Sequence, residues 1–191
     1  MRINWTFGRK LALGFAIAVL AVLVIGISGY RSTEHLIEND HWVNHTEQVR
    51  TKLADLLSAL KDCETGQRGF VITGDDAFLE PYRLALPLVE QTFNQVHGLT
   101  ADNDAQQRRL SELKPAIDTK LAELRRVNEI RKTQGFDAAE KYVALGEGKI
   151  TMEKIRALIA QMDDDEFGLL GRRSAEAELS SENTKTTILW G

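Results

Sequence analysis

The chain has 191 residues, a formal net charge of −4, 27% charged and 43% hydrophobic residues, three prolines and a single cysteine. One cysteine excludes a disulfide framework, and an acidic balance argues against nucleic acid, whose phosphates demand a basic surface. The sequence holds no Gly-x-Ser-x-Gly, no glycine loop ahead of Lys-Ser/Thr and no His-Glu-x-x-His, so it gives catalysis no footing and no cofactor is expected.

Residues 11–29 are nineteen in number and carry no charge. They are rich in Leu, Val, Ile and Ala, and approach the roughly 20 residues a helix needs to cross a bilayer. A cleavable secretory signal has a shorter apolar core of about 7–15 residues and a small-residue cleavage site, so an uncleaved transmembrane helix is expected. Arg2, Arg9 and Lys10 precede it, while Glu34, Glu38 and Asp40 follow. By the excess of basic residues on the inner side, residues 1–10 are expected in the cytoplasm and 30–185 outside the cell (inner) membrane, in a periplasmic or extracellular position. The whole chain carries −4 and the first ten residues +3, which leaves −7 for the remainder.

His41 and His45 lie four apart and would share one helical face, but no further Cys or His cluster completes a metal site around them, so none is expected. His35 and His97 are isolated. From Thr46 a stripe begins: Val49, Leu53, Leu56, Leu60, Cys63, Gln67 and Phe70 follow at alternating spacings of three and four. This is the seam of a long helix in a bundle, with Cys63 a small apolar packing residue.

The stripe runs into a corner. Gly66 and Gly69 clear one face of the helix for a neighbouring backbone, at a cost in helix propensity of about 1 kcal/mol each. Glu64 and Arg68, at i and i+4, are spaced for a surface ion pair. The first helix is expected to end near Phe70, with residues 70–73 open to a locally extended conformation. Thr73-Gly74-Asp75-Asp76 supplies a positive-φ residue, cap side chains and acidic charge for a new helix, with 76–80 an irregular turn and Pro81 in the first turn of that helix or kinking it.

Glu64, Thr65, Gly66, Gln67, Arg68, Gly69 and Phe70, followed by Thr73, Gly74, Phe78, Leu79, Pro81 and Tyr82, resemble the signature of the type-three CHASE domain. The resemblance spans roughly residues 30–185. It implies an all-helical extracytoplasmic sensory module between two membrane spans, feeding a histidine kinase, nucleotide cyclase, diguanylate cyclase or chemoreceptor. The signature residues either build the corner alone or, with Glu64 and Arg68, shape a recognition surface for a small molecule or a partner protein.

Further along, Tyr82, Leu86, Val89, Phe93 and Val96 repeat the helical pattern over about 81–98. Leu110, Leu113, Ile117, Leu121 and Leu124 do so over about 104–133, and Met152, Ile155, Ile159 and Met162 over about 149–185. Turns are marked at 98–104, 135–137 and 146–148, the last two bracketing a short amphipathic helix over 137–145. Asp163-Asp-Asp-Glu166 reads as a solvated face, except that Asp165 or Glu166 falls on the seam, where a polar residue fixes register or oligomeric state. At 186–191 the text turns apolar with an interfacial Trp190, the expected start of a second, truncated span.

Four stripes and no sustained two-residue alternation predict an all-α protein. The expected architecture is an elongated up-down four-helix bundle whose first helix continues from the transmembrane helix. The expected role is the extracytoplasmic, stimulus-sensing input module of a receptor, in the first place a sensor histidine kinase of a two-component system. Its expected partners are membrane lipid, a second copy in a homodimer, and a small-molecule or protein stimulus. The alternatives are a membrane-anchored helical interaction domain without output, or the ligand domain of a chemotaxis receptor or nucleotide cyclase.

Overall fold

A computed structural model of the chain describes residues 7–190, with side chains over 41–172 and most of 7–34. Helices account for nearly all of it: α1 (Phe7–Thr73), a 3₁₀ turn (Asp76–Leu79), α2 (Glu80–Leu99), α3 (Asp104–Gln134), α4 (Phe136–Ala144) and α5 (Glu147–Trp190). No strand occurs among the described residues. The chain forms two compact units, one of Met1–Val43 with Leu170–Gly191 and one of Asn44–Leu169.

In the first unit, α1 carries Lys10–Arg31, 22 residues long and apolar enough to cross a membrane, with none of its most apolar window buried. Arg2 and Gly191 lie outside the described residues, as do the side chains of the apolar opening at 186–190, whose backbone is the last part of α5. So do the side chains of Arg9, His35, Glu38 and Asp40.

The second unit is a four-helix bundle. Every residue of the α1 stripe from Thr46 to Phe70 is buried, as are the α3 stripe from Leu110 to Leu124 and Met152, Ile155, Ile159 and Met162 of α5. In α2, Tyr82, Val89, Phe93 and Val96 go inside, while Leu86 is only partly buried against the same core. Side-chain links give the directions. Arg50 meets Asp163, Lys120 links Glu64 to Gly148, and Gln106 meets Glu166, so α1 and α3 both run antiparallel to α5 and parallel to each other. Lys114 meets Glu90 and Gln107 donates to the His97 carbonyl, so α2 and α3 are antiparallel. The order is therefore up, down, up, down.

Local chemistry sets the ends. Asn103 caps α3, its Oδ1 accepting from the amides of Ala105 at 3.1 Å and Gln106 at 3.2 Å. Pro81 sits in the first turn of α2, where its missing N–H costs nothing. Pro87 and Pro115 lie inside α2 and α3. Both prolines are exposed, as are Arg83 and Ser111 four residues earlier, so water can reach the carbonyls they leave unbonded.

Gly135 joins α3 to α4 at φ 89° and ψ −172°, a conformation open essentially to glycine alone. The turn lays Ala139 against Val71, Val127 and Ile130, a small second core capping the bundle. Two sequence expectations change here. Residues 70–73 are helical rather than extended, because the Gly74 amide bonds the Phe70 carbonyl at 2.8 Å and closes the last turn of α1. Residues 76–79 form an ordered 3₁₀ turn rather than an irregular one, because Asp75 caps it through the Ala77 amide at 2.9 Å.

Candidate functional site

The signature residues build a backbone crossing. A Cβ on Gly66 would lie 2.7 Å from the Tyr82 nitrogen and 3.2 Å from the Phe78 carbonyl oxygen, and one on Gly69 would lie 2.9 Å from Phe78 Cδ1. The two glycines therefore let the 3₁₀ turn and the start of α2 rest directly on α1. Thr73 Oγ1 donates to the Gly69 carbonyl at 2.8 Å and accepts from the Asp75 amide at 3.1 Å. Gly74 has φ 73°, and Arg131 stands beside it with Nε donating to the Val71 carbonyl at 2.8 Å. On the rim, Asp76 pairs with Arg83 and Lys132, and the bond from Arg83 holds its carboxyl below the usual carboxylate range. Leu79 and Tyr82 are buried, Phe78 is half exposed and Thr65 is exposed. Desolvation raises the Tyr82 phenol. Cys63, fully buried, lies with Sγ 3.9 Å from the Tyr82 carbonyl, and burial followed by the Asp62 charge pushes its thiol up to about 11.

Beneath the crossing lies a buried charge cluster. Lys120, 2% exposed, donates from Nζ to Glu64 Oε1 at 3.1 Å, Glu123 Oε2 at 3.0 Å and the Gly148 carbonyl at 3.2 Å. Three acceptors match the three hydrogens of an ammonium. Arg68 Nη2 reaches the same Glu64 oxygen at 3.3 Å from a largely exposed position. Two cations and two carboxylates thus balance, and the cluster ties α1, α3 and α5 at one level. Gly148 belongs to this arrangement, because a Cβ there would strike the Glu123 carboxylate.

Glu64 is accordingly not the surface partner its spacing with Arg68 implied. It is buried, and its principal counter-charge comes from α3. Sequence reasoning missed Lys120, Glu123 and Gly148. Lys120 had a legible signal, since Leu113, Ile117, Lys120, Leu124 and Val127 keep the same alternating spacing of four and three.

The other end of the bundle answers the question left by the acidic run. Glu166 is the seam residue, 4% exposed, and accepts from Gln106 Nε2 at 2.9 Å, while the same nitrogen donates to the Met162 carbonyl at 3.0 Å. Asp165 instead lies toward solvent and pairs with Arg109 at 2.5 Å. Asp163 receives a forked contact from Arg50 at 2.8 and 3.4 Å, which raises the guanidinium further. The glycine corner and the 163–166 run therefore belong to opposite ends of the bundle and form no common site. Among the described residues no cluster of three His, Cys, Asp or Glu could hold a metal ion.

The family model of the CHASE3 domain matches residues 39–176, well over half of the chain and including every signature residue. The chain belongs to the CHASE3 family. This is a sensory domain, not a catalytic one, and the glycine crossing lies within the matched residues. Among solved structures, the sensor domain of the histidine kinase HK9 of Rhodopseudomonas palustris shares the fold at a TM-score of 0.61 and 22% identity, with 66% of this chain and 98% of that one covered. No curated protein matches the chain.

Proposed function

We propose that the chain is the extracytoplasmic sensory input module of a transmembrane receptor, with a sensor histidine kinase as the output that fits best. The observation that carries this is α1. One helix, Phe7–Thr73, holds both the 22-residue apolar stretch Lys10–Arg31 and the buried stripe that forms a quarter of the sensory bundle. A change of packing in the bundle has a direct mechanical path into the apolar stretch along a helix without a break. Residues 1–10 would lie in the cytoplasm, 11–29 in the lipid and 30–185 outside, with the module working as a homodimer.

A stimulus acts on such a module by binding one packing arrangement better than another, and can shift the balance only by that difference in affinity. At the corner end the glycines allow backbone contact without side chains between, and the charges of the Lys120 cluster are balanced. Single cysteines placed along 43–60 in a Cys63→Ala background, in membranes, are expected to crosslink two copies with a helical period at exposed positions such as 47, 51 and 54. No crosslink at any position would contradict the dimeric receptor reading.

A further inference from the structure

On the surface of the bundle, α1 and α5 leave an open groove of about 440 Å³ between them. Its floor is apolar, with Leu53 and Ile159 buried and Leu57 half-buried. The pair of Arg50 and Asp163 closes one end, where Arg50 also reaches Glu47. Two links fix heights along the walls. Arg50 with Asp163, and Lys120 joining Glu64 to Gly148, match each step along α1 to a step back along α5. Ala54 and Ala160, both exposed, therefore stand at nearly one height on opposite walls, and their small side chains open a notch. Arg156 stands level with residues 56–57 of α1. It is exposed, and among the described residues no carboxylate pairs with it.

An occupant has to bring a ridge of small side chains and one negative charge at the height of 56–57. The exposed face of α1 carries both, since Thr51, Asp55 and Ser58 follow at spacings of four and three. Two copies related by a two-fold axis along the bundle keep every residue at its own height. Asp55 then comes within about 2 Å, along the axis, of the partner's Arg156, whereas Glu47 and Asp62 stand about 14 and 8 Å away. The bond that Asp55 makes to Lys52 at 2.8 Å is an exposed i,i+3 pair, worth little and readily exchanged.

We propose that the groove between α1 and α5 seats a second copy of this chain, which lays the Thr51, Asp55 and Ser58 ridge of its own α1 into the notch and bonds its Asp55 to Arg156. The two-fold repeats the contact, so two notches fill and two ion pairs form together. The proposal rests on the homodimer reading and adds the face and the charges that hold it.

Two differently tagged whole chains, both Cys63→Ala, are made together in membranes, one with Asp55→Cys and the other with Arg156→Cys. The disulfide joining the two tags is expected to form at least tenfold more than either variant forms with itself, or than Arg156→Cys forms with Gln48→Cys. Energy transfer between labelled chains in proteoliposomes then reads the charge. Arg156→Glu or Asp55→Arg alone is expected to weaken the dimer at least tenfold, and both in one chain to recover most of the loss. Ala160→Leu, which fills the notch from an exposed position, is expected to weaken it by a similar factor. A disulfide no stronger than its controls, or single charge variants that the double variant does not rescue, overturns the proposal. Loss with Arg156→Glu and no rescue is the result for a small carboxylate or another protein held in the groove. Chains that crosslink in the 43–60 scan yet ignore the charge exchange leave the homodimer standing and refute this contact, whereas chains that crosslink nowhere refute both.

Discussion

Gly66→Ala tests the backbone crossing most sharply. In an unconstrained helix interior the change would add about 1 kcal/mol of stability through helix propensity. Here the new methyl lies 2.7 Å from the Tyr82 nitrogen and 3.1 Å from its Cβ, where ordinary contact begins at 3.4 Å. The start of α2 would have to retreat by about 0.7 Å, and forcing extra volume into a packed contact costs about 1–3 kcal/mol. The cost belongs at the upper end, because the atom struck is backbone and cannot rotate aside, and because Tyr82 and Leu79 are buried on the same segment. The net is a loss of about 1–2 kcal/mol, or a fall in melting temperature of about 4–8 °C for a bundle of this size. Gly168→Ala is the control: it sits in α5 with nothing within 4 Å of its added Cβ, and should gain about 1 kcal/mol. Both are read from the far-UV ellipticity transition of the whole chain in mild detergent. A Gly66→Ala variant as stable as the parent, beside a stabilised Gly168→Ala, would refute the reasoning.

Lys120→Met is expected to cost about 3 kcal/mol, since it removes the principal counter-charge of buried Glu64 and partly buried Glu123, and adding Glu64→Gln should recover part of the loss by removing one of the two carboxylates. Urea midpoints at unchanged slope measure both. Cys63 gives a pH signature. Its folded thiol, raised from 9.0 to about 11, holds its proton to higher pH than the unfolded one. The stability this confers is fully present below about pH 9 and is lost as pH rises toward 11, by about 2–3 kcal/mol. The stability difference between the parent and Cys63→Ala should therefore shrink over that window and stay constant below it.

The bundle was legible because its cores lie on single-helix seams: Thr46 to Phe70 alternate by three and four, and a pattern internal to one helix needs no knowledge of its neighbours. Charge pairing was not. Glu64 and Arg68 stand on one helix and invite a local reading, whereas the deciding partner, Lys120, is 56 residues away, and its third acceptor is a backbone carbonyl that no sequence pattern marks. The same limit applied to 163–166. Asp165 and Glu166 could be separated only by counting four from Met162, which selects Glu166, the residue that Gln106 meets across the core. At 70–73 a short apolar run beside a glycine suggested extended chain and at 76–80 an irregular turn, and the hydrogen bonds of Gly74 and Asp75 decide for helix and 3₁₀ turn instead.

The central claim is that α1 carries the sensory bundle on the outer side of a membrane. Its most direct test uses the chain's single cysteine, Cys63, which is buried and weakly reactive, so that an introduced thiol reports with little background. With Gln95→Cys on the exposed face of α2, a membrane-impermeant maleimide should label intact cells, while Phe7→Cys should be labelled only after the cells are opened. Labelling of Phe7→Cys but not Gln95→Cys in intact cells would contradict the account.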